Sequence, residues 1–136
     1  MGPRDPHFEL GDLPSWIHIV PPTTSATAER NAIAAADLFV MPSRFEGFSQ
    51  AVLKALAQGK RVIVTSVGGL PFEVDYGKYG KLVQYGAIES LGKAMVEHFR
   101  NPPHLDVGEI KKYASKFTYK ENTKRIQSQY LEILNH

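Results

Sequence analysis

No cysteine occurs among the 136 residues, which excludes disulfides, thiolate metal sites and a cysteine nucleophile together. No apolar run approaches the roughly 20 residues that a membrane-spanning helix needs. An excess of one charge is also missing. Sixteen Lys and Arg stand against fourteen Asp and Glu, a formal balance of +2, without the clustering that marks a nucleic-acid partner. The five histidines, His7, His18, His98, His104 and His136, have no metal-ligand spacing and form no catalytic set. Met1 to His7 is polar and proline-rich with no signal-peptide core, so residues 1–15 are expected to be irregular. What is present suits one compact domain over residues 1–136: 43% hydrophobic residues, enough for a core, and 22% charged. A cytoplasmic location is the expectation.

Along the chain, apolar runs of strand length alternate with stretches of helical period. Trp16-Ile-His-Ile-Val20 alternates and stops at Pro21-Pro22, which predicts a short strand. Thr23 to Ala36, rich in alanine and opened by Ser/Thr, predicts a helix. Leu38-Phe-Val-Met41 and Arg61-Val-Ile-Val-Thr65 are continuous apolar runs of the kind buried on both faces in parallel sheets, and Lys81-Leu-Val83 is a weaker one. Between them, Gly47 to Gln58 reads as a helix stopped by Gly59. Ile88, Leu91, Met95 and Phe99 form one helical stripe ending before Pro102-Pro103, and Asn101 to Gly108 reads as a loop. Thr118 with Glu121 forms a capping-box pattern for a final helix over residues 118–136. Its apolar face, Tyr119, Thr123, Ile126, Tyr130 and Ile133/Leu134, is expected in the core, as is Trp16, or at an interface. The alternation implies a Rossmann-like α/β fold, three layers α/β/α around a parallel sheet.

Chemistry gathers at two strand-to-turn units. In an open α/β sheet, ligands bind beyond the carboxyl ends of the strands, where helix N-termini offer unpaired N–H groups and partial positive charge to an anion. The first unit is Pro42-Ser-Arg-Phe-Glu-Gly-Phe-Ser49, in which Gly47 lets a phosphate approach the backbone. The second, Thr65-Ser-Val-Gly-Gly-Leu-Pro71, adds a small flexible rim. A diphosphate between the two rims is the physical expectation. Glu46 at a helix start would stabilise that helix by a few tenths to about 1 kcal/mol even without a ligand. Lys54 alone reads as a solvated helix lysine.

Taken in order, Pro42–Ser49, Leu53-Lys-Ala-Leu-Ala-Gln-Gly59, Arg61–Val64, Gly68-Gly-Leu-Pro71, Gly80-Lys-Leu-Val83 and Phe117-Thr-Tyr119 resemble the donor half of retaining GT-B glycosyltransferases, the "group 1" family. The likeness runs from about Trp16 to Leu134. It implies transfer of a sugar from a nucleotide-sugar, a UDP- or GDP-sugar, to an acceptor hydroxyl, with retention and without a metal or other cofactor. In that family two glutamates with seven residues between them flank the donor: the first meets the transferred sugar, the backbone after it holds the diphosphate, and the second binds the ribose. Glu46 matches the first, the catalytic position. Ser43, Gly47, Phe48, Ser49, Thr65, Ser66, Gly68 and Gly69 fall on the donor and phosphate positions. Lys54 stands at the second glutamate, an altered ribose position, because an ammonium only donates where a carboxylate accepts from two vicinal hydroxyls. On one helix, positions i and i+8 would lie roughly 12 Å apart. A further departure is Phe72, where relatives carry a glutamate after the Gly-Gly-x-Pro turn, with Glu73 one place later.

The resemblance also implies that this length lacks the acceptor-binding half and the first strands of the donor half, where relatives carry the Arg and Lys that neutralise the leaving diphosphate. A donor-binding portion that is inactive alone is therefore expected, with peripheral membrane attachment in the intact enzyme. Rearranged strand pairing, a separate acceptor-binding subunit or a homo-oligomer would cover the sheet edge left open. The alternative is a degenerate, non-catalytic module that binds a nucleotide or a protein.

Overall fold

The computed structural model describes residues 13–134 apart from residue 105; the irregular segment expected over 1–15 lies largely outside the described residues. Helix α1 (Ala26–Ala35) starts at Ser25, whose Oγ accepts the Ala28 N–H at 3.2 Å, and leads into strand β1 (Leu38–Met41). Helix α2 (Gln50–Ala57) returns the chain to β2 (Arg61–Thr65). A four-residue turn of helix, α3 (Leu70–Glu73), and a 3₁₀ turn (Asp75–Gly77) lead to β3 (Lys81–Val83). Helices α4 (Ile88–Arg100), α5 (Val107–Ser115) and α6 (Tyr119–Leu134) follow.

The three strands form one parallel sheet in the order β1-β2-β3, with Leu38 opposite Arg61 and Thr65 opposite Val83. The α/β class and the parallel sheet read from the sequence are what the structure has. The central strand is buried on both sides, as its continuous apolar run required. Val62 and Val64 join the core beneath α2 and α5, while Ile63 faces the side on which α4 lies.

Helix α2 is fixed at both ends. Ser49 caps its start, its Oγ accepting the Val52 N–H at 3.3 Å. At its end Gly59 takes φ +72° while its N–H reaches Leu56 O and the Lys60 N–H reaches Ala55 O, the pattern of a Schellman stop. A Cβ on Gly59 would also press on Val107, so the same glycine lets α5 pack close. The Lys60 ammonium then donates to Ala34 O at 2.6 Å, closing the C-terminal end of α1.

Several expectations are corrected. Trp16 to Val20 is not a strand: no neighbouring strand pairs with it, and Trp16 is 76% exposed rather than in the core. Alternation suited a strand, but a strand needs a ladder partner. The helix expected from Gly47 begins at Gln50, because Ser49 in extended conformation caps it, so Glu46 precedes the helix and the single-helix spacing to Lys54 does not hold. The loop expected over Asn101–Gly108 ends at Asp106, which caps α5 by accepting the Gly108 N–H at 2.7 Å. Tyr119, Ile126, Tyr130, Ile133 and Leu134 of α6 are exposed, not core. Half of the capping box forms there: Thr118 Oγ1 accepts the Glu121 N–H at 3.4 Å, while the Glu121 carboxylate pairs with Lys124 at 2.9 Å.

Leu56 lies wholly inside the cluster that joins α2, β2 and α5. Leu56→Ala should lower the unfolding free energy by about 2–5 kcal/mol in urea denaturation, whereas Trp16→Ala should change it by less than about 0.5 kcal/mol.

Candidate functional site

Because β1 and β2 are parallel neighbours, the turns that follow them leave the sheet at the same edge. Thr65, the last residue of β2, is buried and donates its Oγ1–H to Ser43 O at 2.6 Å, tying the two turns at their base. Further out the backbones touch. The Gly69 N–H donates to Glu46 O at 3.3 Å; a Cβ on Gly68 would run into that oxygen and one on Gly69 into Gly47 O. Gly68 also has φ +52°. Both glycines are therefore required by contact, and Gly68 by its backbone conformation as well. The two rims are thus in backbone contact at Glu46-Gly47 and Gly68-Gly69.

The residues singled out in the sequence divide by exposure. Gly47, Phe48 and Gly68 are exposed, and Ser43, Glu46, Ser66 and Gly69 are half-buried. Ser49 and Thr65 are buried and hold the turns rather than line a surface. Within the segment Gly47 to Ala51, the N–H groups of Gly47, Phe48, Gln50 and Ala51 have no acceptor among the described residues. The Ser49 N–H has one: it donates to Glu73 Oε1 at 2.6 Å.

Glu73 is the outlier of the molecule. Its side chain is completely buried, and Oε2 has no hydrogen-bond partner among the described residues. Burial pushes its carboxyl above the ordinary carboxylate range; the Ser49 N–H works against this, and the nearby Glu46 carboxylate adds to it.

Around this edge runs a chain of aromatic rings. Phe117 meets Phe48 at 5.9 Å, Phe72 at 5.8 Å and Tyr113 at 5.3 Å, and Tyr113 stacks on Tyr79 at 4.3 Å. The Tyr113 hydroxyl donates to Phe72 O at 2.8 Å, so α5 holds α3 against the sheet and thereby fixes where Glu73 sits. Burial raises the Tyr113 hydroxyl above its ordinary value, which keeps it a donor at neutral pH. Away from this edge, Lys54 points to α1: its ammonium contacts both oxygens of Glu29, at 2.9 and 2.7 Å.

The profile described as "Glycosyl transferases group 1" matches residues 3–101, most of the chain. The chain belongs to that glycosyltransferase family. It is 33% identical over 104 residues to a D-inositol 3-phosphate glycosyltransferase of Corynebacterium jeikeium, covering 73% of this chain and 24% of that protein. It is 37% identical over 67 residues to a mannosylfructose-phosphate synthase of Agrobacterium fabrum, covering 49% of this chain and 15% of that one. Among solved structures, a sucrose-phosphate synthase from Thermosynechococcus elongatus superposes with a TM-score of 0.65 at 25% identity, over 76% of this chain and 27% of the other. The chain thus spans about a quarter or less of the length of these relatives. The fold is of the GT-B type.

For a group 1 glycosyltransferase, three features were not legible in the sequence as parts of the site. Glu29 neutralises Lys54 from another helix, and nothing local in the sequence marks it. Glu73 was visible only as a displaced glutamate, and its inward direction comes from the turn of α3. Phe117 acts through space, across three elements. Two cavities, of about 670 and 250 Å³, lie at the amino ends of the strands, the larger beside Arg61, Lys81 and Lys93, so neither belongs to this edge. Among the described residues no group of three or more His, Asp or Glu side chains could hold a metal ion, and no helix is long and apolar enough to cross a membrane.

Two outcomes check this geometry. Gly69→Ala should destabilise the fold by about 1–3 kcal/mol, since backbone must move to admit the methyl group. The second concerns pH. Glu73 has a folded-state pKa above its unfolded one, so its contribution is fully present below the unfolded carboxylate value and is lost as pH rises through the raised folded value. Urea denaturation of the wild type should show stability falling over that window, relative to Glu73→Gln measured at the same pH values.

Proposed function

We propose that this chain is the donor-binding part of a glycosyltransferase that moves a sugar from a nucleotide-sugar to an acceptor hydroxyl with retention, and that alone it does not turn over. The observation that carries the reading is the junction of Glu46-Gly47 with Gly68-Gly69 at the carboxyl edge of the sheet, beside backbone N–H groups that have no partner among the described residues. Glu46, half-buried at the junction, contacts the donor sugar. The N–H groups of Gly47 and Phe48 meet the diphosphate, with Ser43, Ser66 and Gly68 forming the rim. Ser49, Thr65 and Gly69 keep these turns in place. Lys54, bound to Glu29, marks the ribose end, where the usual acceptor carboxylate is replaced by an ion pair. The reading calls on no metal, because backbone N–H groups meet the phosphate charge. The acceptor is bound on a surface supplied from outside this edge, by an acceptor-binding subunit or another copy of the chain.

A second reading is a non-catalytic module that binds a nucleotide or a protein. The engagement of Lys54 with Glu29 favours it, as do the outer edge of β1, unpaired among the described residues, and the exposed apolar residues Ile88, Phe99, Tyr130 and Leu131 on α4 and α6.

Calorimetric titration with UDP, GDP, ADP and their sugars separates the two. The donor reading expects at least one of these to bind, and Glu46→Ala to weaken its nucleotide-sugar by about tenfold, or 1.4 kcal/mol. Lys54→Glu in a Glu29→Ala background should tighten the nucleoside diphosphate, because it restores one acceptor carboxylate without a second beside it. Binding untouched by Glu46→Ala would remove the site assignment, and no binding at all would leave the protein-interaction module.

A further inference from the structure

We propose that Glu73 is a positioning residue of this edge: by holding the Ser49 N–H from within, it divides the run of backbone donors from Gly47 to Ala51 and couples phosphate binding there to a proton. The inference deepens the donor-site reading, resting on it only in taking the ligand to carry a phosphate. Three observations converge. The carboxyl group is wholly buried, so it does not touch a ligand itself. Oε1 takes the central donor of the run at 2.6 Å, while the donors on either side, at Gly47 and Phe48 and at Gln50 and Ala51, remain without partners among the described residues. Oε2 is buried with no partner among the described residues, a costly state for an anion and a less costly one for a neutral carboxyl group.

A buried negative charge directly behind a phosphate-binding turn opposes the phosphate. A neutral carboxyl group keeps the hydrogen bond from Ser49 and removes that opposition. The titratable groups that face Glu73 are Glu46 in the turn and Tyr113 on α5. Glu46 opposes a second negative charge in the same way, and the Tyr113 hydroxyl stays neutral. Ser49 and Gly69, the residues that precede α2 and α3, carry no titratable side chain to it. No cation forms an ion pair with Glu73 among the described residues. An arriving phosphate therefore raises the affinity of Glu73 for a proton, and by linkage the ligand binds more tightly as pH falls through the range in which Glu73 titrates.

The test uses the whole chain. The backbone amide of Ser49 is followed by NMR from pH 4 to 8, and ADP, UDP and GDP binding is measured by calorimetry across the same range in the wild type and in Glu73→Gln. The Ser49 amide should titrate with a midpoint above the ordinary carboxylate range. Wild-type affinity should rise about tenfold more from pH 8 to pH 5 than that of Glu73→Gln, the effect of one pKa unit of coupling. At pH 8 the variant should bind more tightly than the wild type. Superimposable pH profiles, or a Ser49 amide that does not titrate in the wild type, would overturn the proposal; the amide measurement stands even if Glu73→Gln fails to fold. If no nucleoside diphosphate binds, the donor reading fails, and inorganic pyrophosphate decides the inference. Shifts at the Gly47 to Ala51 amides that strengthen as pH falls support it, and pH-independent shifts or none refute it.

Discussion

Parallel pairing of β1 with β2 is the constraint from which the rest follows. It sets Met41 beside Val64, so that the turns after the two strands emerge together at one edge. Their backbones then meet at Glu46-Gly47 and Gly68-Gly69, a contact closer than any side chain permits. Thr65 secures the base of that contact through Ser43 O, and Ser49 with Glu73 secures its far side. The candidate site is thus a property of two adjacent strand ends, and each of its donors is backbone. Site chemistry of this kind depends on placement more than on side-chain identity.

The core distributes its support unevenly. Helices α2 and α5 cover one face with Leu56, Ile110 and Tyr113, and through the rings of Phe117, Phe48 and Phe72 that packing reaches the carboxyl edge of the sheet. The opposite face is covered loosely: α4 buries none of its residues and leaves a cavity of about 670 Å³ over Ile63. Helix α6 likewise buries nothing among the described residues. Exposed apolar faces on both helices, and the edge of β1 that no strand pairs among the described residues, are where this fold is open to further packing.

How much was legible follows from what each element needs. Strand β2 was readable because burial on both faces demands an unbroken apolar run, β1 by the same kind of run although at the sheet edge it is only half-buried, and Gly59 because a helix stop needs a residue at positive φ. Trp16 to Val20 has the right alternation, but the partner that would make it a strand is a fact of three dimensions. Helix α5 hid behind Pro102-Pro103 and Gly108; its signals were Asp106 three residues before Glu109 and the spacing of Ile110, Tyr113 and Ala114. At the site, the motif Glu46-Gly47-Phe48-Ser49 located the edge but not the roles within it. Ser49 looked like a phosphate donor, yet its N–H is spent on a carboxylate 24 residues away.

By itself the sequence determined the fold class, the family and the two glycine-bearing turns that follow β1 and β2, because apolar period and glycine placement are local consequences of backbone geometry. The tertiary structure alone decided which donors remain open, that Lys54 answers to Glu29, and that Glu73 turns inward. Each of these joins residues far apart in the chain, and their energy depends on distance and burial, which only the packed molecule sets.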